Sequence, residues 1–172
     1  MLFVKRLLAY WLDFVLLASL LVGLQWLLYA ASSGFPFDRL EKGYQIELWV
    51  LLSMSLPVWC YFIYFERRHG HTPGKRLLKL KVTNNKGRNL SFSQALVRTG
   101  IRLLPWELTH LFILVPEPWW NVAEPKYPYL IYIPNALMVL YIVILMISGG
   151  KRGIHDIAAN TAVKSCGNMS GC

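Results

Sequence analysis

A chain of 172 residues in which 55% are hydrophobic and 16% charged, with a mean hydropathy of +0.39, is too apolar for a water-exposed domain, whose surface needs roughly a quarter charged residues. The composition specifies an integral membrane protein. The net charge of +9 gathers beside apolar runs and not on an exposed face or an aromatic-lined groove, which argues against nucleic acid as a partner.

The chain opens with MLFVKRLLAYWLDFVLLASLLVGLQWLLYAA. Its apolar run, about 25 residues against the roughly 7–15 of a signal-peptide core, reads as a retained first span from about Leu7 to Ala31. At roughly 1.5 Å per residue that length crosses a hydrocarbon core of about 30 Å with some tilt. Lys5 and Arg6 hold its start on the inner side. SSGFPFDRLEKGYQIE follows as an outer loop of balanced charge. The second span, about Leu48 to Phe65, has Trp and Tyr near its ends as interface anchors and Pro57 near its centre, where a bend is expected.

Between the second and third spans lies a basic seam, Glu66 to Arg88, with eight cations: Arg67, Arg68, Lys75, Arg76, Lys79, Lys81, Lys86 and Arg88. Such clusters resist translocation and attract the anionic inner leaflet, so the seam is expected to face the cytoplasm, with the first six of these cations against lipid headgroups. GHTPGKR is not a phosphate-binding loop, because Gly70 and Gly74 are one residue too close and Arg76 stands where Ser or Thr is required. Beyond it, Leu78, Leu80 and Val82 alternate with Lys79, Lys81 and Thr83, the period of a strand, and Asn84-Asn85-Lys86-Gly87 is turn chemistry. A short hairpin or flap inside this loop is therefore expected.

The segment from Ala95 to Val115 holds Arg98, Arg102, Glu107 and His110, all costly among lipid tails, and must turn them toward protein or water. Read as a third span, it leaves only Arg39, Lys42 and Lys126 of the 18 Lys and Arg outside, with Trp119 and Trp120 at the outer interface and both termini in the cytoplasm. A fourth span, about Tyr129 to Ile147, stops at Ser148-Gly149-Gly150. KRGIHDIAANTAVKS is then apolar enough to fold back on the inner ends of the bundle. The expected architecture is all-α: four transmembrane helices with a short cytoplasmic β-hairpin between spans two and three, forming one domain over residues 1–165, then a flexible tail, 166–172. Cys60, Cys166 and Cys172 offer neither a disulfide framework nor the spacing of a four-ligand zinc site, and His69 and His71 lack a third ligand. No cofactor is expected.

Three separated patterns then stand in order: KRLLAYWLDF, HGHTPGKRLLKLKV with a following NLSF, and GIHDIAANTAV. On these the chain resembles the RDD family of small, mainly bacterial, multi-pass membrane proteins, named for one arginine and two aspartates, which fall here on Arg6, Asp13 and Asp156. The resemblance implies a bacterial inner-membrane location and a transport role, with cation/proton exchange suggested for some members. PWELTH and PEPWWNVAEPKYP lie outside it.

Arg6 and Asp13 are two helical turns apart, about 10 Å along the axis, too far to pair directly. Arg6 should snorkel to the headgroups, leaving Asp13 to seek Arg98 or Arg102. Nearer the outer side, Glu107 and His110, one turn apart, are candidates for proton handling, while Gln25 and Asn135 suit hydrogen bonding between helices. His155-Asp156 lacks the nucleophile and oxyanion site of a catalytic pair, so no enzyme is expected; Asp156 should anchor the fold-back segment to Arg6 or to the seam. Two functions stay open: transport or permeation of a small ion or solute by a homo-oligomer, or a non-catalytic module that binds anionic lipid or a partner protein through its basic loop.

Overall fold

The computed structural model describes residues 1–167, so the end of the expected tail, with Cys172, lies outside the described residues. Helix α1 (Leu2–Ser32) leads to a second long helical stretch made of α2 (Gly43–Val50), a π-helical turn (Leu51–Ser55) and α3 (Leu56–Arg68). Then come α4 (Pro73–Leu77), β1 (Leu80–Asn84), α5 (Phe92–Leu114), α6 (Tyr132–Ile147), α7 (Ile154–Ala158) and β2 (Thr161–Ser165). Among the described residues three helices are long and apolar enough to cross a membrane: Leu2–Ser32, Gly43–Arg68 and Pro128–Ile147, of 31, 26 and 20 residues. At 23 residues α5 is comparable in length, but it carries Arg98, Arg102 and Glu107 and is not one of these apolar helices.

Two prolines shape the packing. Where a bend is expected at Pro57 the structure has a π-helical turn just before the proline, in which Leu56 N–H reaches back to the Leu51 carbonyl; wider bonding absorbs the register fault that a residue without an N–H creates. Inside α5, Pro105 cannot donate to the Ile101 carbonyl one turn earlier. The Tyr141 hydroxyl of α6 does so instead, at 2.6 Å, supplying from a neighbouring helix the donor that a proline removes.

The strand expected at Leu80 forms, but not as half of a local hairpin. β1 pairs antiparallel with β2 at the far end of the chain, in the register Leu80 to Ser165 and Val82 to Val163. The turn after it forms as expected, with Asn84 Oδ1 accepting from the amides of Lys86 and Arg88 at 2.9 Å each. Past that turn the sequence loses its alternation. Ser91 and Gln94 instead form a reciprocal capping box that starts α5, and the alternating Thr161 and Val163 supply the second strand. The ribbon buries Leu80, Val82 and Val163 with Ala9, Leu90 and Ala95.

The N-terminus, α4, the ribbon and α7 gather at one end of the bundle, called here the seam end. Residues 33–42 and 115–131 form the other, the loop end. Halfway between, Leu17, Phe62 and Leu103 make a separate apolar cluster. The outward faces of α1 and α6 expose Leu16, Leu20, Leu24, Val139 and Ile147, as contact with lipid tails requires.

Candidate functional site

At the seam end the charged groups of five elements meet. Glu66, in the last turn of α3, is wholly buried and accepts from Lys75 Nζ at 2.5 Å, Arg102 Nη1 at 2.7 Å and Arg98 Nε at 2.8 Å. Asp156, also wholly buried, accepts from Arg6 Nη2 at 2.6 Å, the Gly153 amide at 2.7 Å and Arg98 Nη1. Arg98 thus bridges the two carboxylates, and Thr161 accepts from it at 2.9 Å. Arg6 does not snorkel. Its other amino group donates to the Gly150 and Lys151 carbonyls at 3.0 and 3.2 Å, tying the start of α1 to the end of α6. The Arg102 guanidinium lies 3.8 Å over the Phe62 ring, a cation–π contact with one face of the apolar cluster.

Two groups in this network lie outside the long helices and respond to burial. Desolvation pulls the Lys75 ammonium down to about 8, against the attraction of Glu66. His155 is held well below its usual value by burial and by the cations Arg98, Arg6 and Arg102, so its ring is neutral. Its Nε2 lies 3.2 Å from Arg6 Nη2 and accepts from it, while Nδ1, buried, has no partner.

Asp13 is not paired with Arg98 or Arg102, contrary to the sequence-based expectation. Its carboxylate accepts from Tyr61 Oη at 2.7 Å, Thr72 Oγ1 at 2.5 Å and the Gly74 amide at 2.8 Å. The arginines are committed to Glu66 and Asp156, and the first turn of α4 brings to Asp13 an amide that has no helical partner. Gly74 has to be glycine here, since a β-carbon would collide with the Ala9 carbonyl and come within 2.9 Å of Asp13 Oδ1. The pattern HTPGK is therefore a docking segment: Thr72 and Gly74 bind α1, and Lys75 binds α3. Lys75, expected against lipid headgroups, is buried instead, whereas Arg67, Arg68, Arg76 and Lys79 are exposed.

A second polar cluster lies across the apolar layer, toward the loop end. Glu107 accepts from Trp59 Nε1 at 2.8 Å and Ser55 Oγ at 3.0 Å. His110 Nε2 is 2.9 Å from Glu107 Oε2, and its Nδ1 is 2.8 Å from Glu47 Oε2. The helix carrying the π-helical turn contributes Glu47, Ser55 and Trp59, and α5 contributes the other two. The remaining polar candidates are not drawn in: Gln25 accepts from Trp49 Nε1 at 3.0 Å, Asn135 bonds the Ile131 carbonyl of its own helix, and His69 stacks on His71.

Glu66 and Glu47 are the acids that sequence reasoning missed as site members. The signal for Glu66 was its being the one acid in a seam of cations. For Glu47 it was an acid set against the first residue of an apolar run.

The RDD family model matches residues 2–160. No curated protein and no solved structure matches the chain.

Proposed function

The chain belongs to the RDD family, and we propose that it is a four-span inner-membrane protein that moves a small ion, with no covalent chemistry of its own. One observation carries this reading: α3 and α5 share an interface with a polar cluster on each side of a single apolar layer, Leu17, Phe62 and Leu103. Arg98, Arg102, Glu107 and His110 run up α5, and Glu66, Trp59 and Ser55 answer them from the facing helix. From Arg102 to Glu107 the rise is roughly 7.5 Å, room for one layer of side chains. An ion path interrupted by one thin apolar layer is the minimal form of a gated permeation route.

Two features support α5 as the fourth span. Its cations face protein partners and not lipid, the condition under which charged residues reside in a membrane. The seam end also exposes Arg67, Arg68, Arg76, Lys79, Lys86, Arg88, Lys151 and Arg152, which favours a cytoplasmic side for that end and for both termini. The seam-end cluster, with each charge hydrogen-bonded, serves as a lock; the cluster toward the loop end carries the ion.

A second reading has its own support. Leu77 of α4 is 72% exposed between the exposed cations Arg76 and Lys79, an arrangement suited to dipping an apolar side chain among anionic headgroups.

Reconstitution into liposomes tests the first reading. Imposed proton, sodium or potassium gradients should dissipate faster than in empty vesicles. If none does, transport is overturned and the lipid-binding reading takes its place.

A further inference from the structure

We infer that Glu47, His110 and Glu107 form a proton-binding site that alternates between net charges of −1 and 0 and exchanges its proton with water at the loop end. This rests on the transport reading and deepens it by naming the proton as the ion.

Both ring nitrogens of His110 face carboxylate oxygens, Nδ1 toward Glu47 at 2.8 Å and Nε2 toward Glu107 at 2.9 Å. Each contact needs one hydrogen, and a neutral imidazole carries only one N–H. Two protons must therefore be shared among the three groups, which leaves the triad at −1: two carboxylates and one imidazolium. A third proton takes it to zero.

Among the described residues no cation answers that charge. Arg102, the nearest cation along α5, is turned to Glu66 and Thr99 on the other side of the apolar layer. Lys42, ahead of α2, sits near the Tyr44 ring. From the facing helix come only the neutral donors Ser55 and Trp59, from α1 only Gln25 by way of Trp49, and the Trp106 ring meets His110 at its edge. One further proton would bring the two carboxylates and the imidazolium to electrical neutrality.

The surroundings supply a receptor for the proton. Glu107 already accepts from Ser55, Trp59 and His110, whereas Glu47 Oε1 takes no hydrogen bond from the described residues. Glu47 is therefore the carboxylate left to receive the third proton. At the loop end a cavity of about 400 Å³ is lined in part by Glu41, Ile46, Val50, Leu114 and Trp120, and not by Glu47, His110 or Glu107 themselves. Ile46 directly precedes Glu47, and Leu114 lies one turn beyond His110. Pro57 and the π-helical turn before it set the phase in which Ser55 and Trp59 both face Glu107, the kind of helix irregularity that recurs at functional sites.

The test uses the full chain in lipid nanodiscs, with no gradient imposed. In histidine-labelled wild type, nitrogen NMR should find both ring nitrogens of His110 protonated at neutral pH. On mild acidification, infrared difference spectra should gain the carbonyl band of one protonated carboxyl group, and Glu47→Gln should lose that band. A wild-type His110 with one bare ring nitrogen at neutral pH, or no new carboxyl band in the wild type, would overturn the site, and neither observation depends on a variant folding. A band unchanged in folded Glu47→Gln would overturn it too. Because no flux is measured, the site can stand while transport fails in liposomes, and transport can stand while the site fails here.

Discussion

Arg98, in the middle of the folded seam end, donates through Nη1 to Asp156, 58 residues further along the chain. The same guanidinium holds Glu66 through Nε at 2.8 Å, so one side chain joins α3, α5 and the closing segment. Removing one member of a buried pair leaves the other charge uncompensated, at a cost of about 3–5 kcal/mol. Arg98→Gln and Asp156→Asn should each lower stability by roughly that amount, read as unfolding in mild detergent. A loss below about 1 kcal/mol, the range of exposed ion pairs, would mean that water reaches the network.

Asp13→Asn should destabilise by a different route. An amide in its place keeps one acceptor but turns a donor toward Tyr61, Thr72 or Gly74, and hydrogen bonds to a charged group contribute about 1.5–3 kcal/mol each. Because Asp13 shares no hydrogen bond with Arg98 or Arg102, Arg98→Gln should not recover any of that loss. Gly74→Ala should mimic it, since the added methyl pushes α4 off α1, at about 1–3 kcal/mol for overpacking. Unfolding midpoints of the two single variants and the Asp13→Asn, Arg98→Gln double variant decide this. Recovery in the double variant would point to a direct charge pair after all.

Acid should loosen the seam end through His155. The folded ring stays neutral well below the ordinary value of 6.5, whereas the unfolded chain takes up its proton there. The unfolded state therefore binds more protons, and stability falls as pH drops through 6.5 toward the folded value, by at most about 1.4 kcal/mol per pH unit. Thermal unfolding followed across that range in wild type and His155→Asn should give a shallower dependence in the variant. Identical slopes would show that His155 is already free to charge in the folded state.

Much of this molecule was legible in its sequence, and the failures share one cause. Apolar run length located three helices, the fold-back of residues 151–165 was expected from composition, and Asp156 was expected to anchor it to Arg6 or to the seam. The pairing of β1 with β2 was not, because a period of two identifies a strand but says nothing of its partner when the partner lies near the other end of the chain. Asp13 went wrong in a similar way. Opposite charge at matching depth suggested Arg98 or Arg102, but one acid written off as part of a basic loop, Glu66, takes both arginines and leaves Asp13 to neutral donors. The one-turn spacing that set Glu107 beside His110 holds in the structure. It could not supply Glu47, whose approach depends on the π-helical turn and the phase it sets between α2 and α3.

The account's central claim is that the ion passes the Glu47, His110 and Glu107 cluster while the arginine network only holds the bundle together. Its most direct measurement is proton flux into liposomes, under an imposed pH gradient, with wild-type protein and Glu107→Gln incorporated in equal and verified amounts. The account predicts that wild type dissipates the gradient and that Glu107→Gln, although folded, is reduced to the leak of empty vesicles. Flux through Glu107→Gln at the wild-type rate would contradict it.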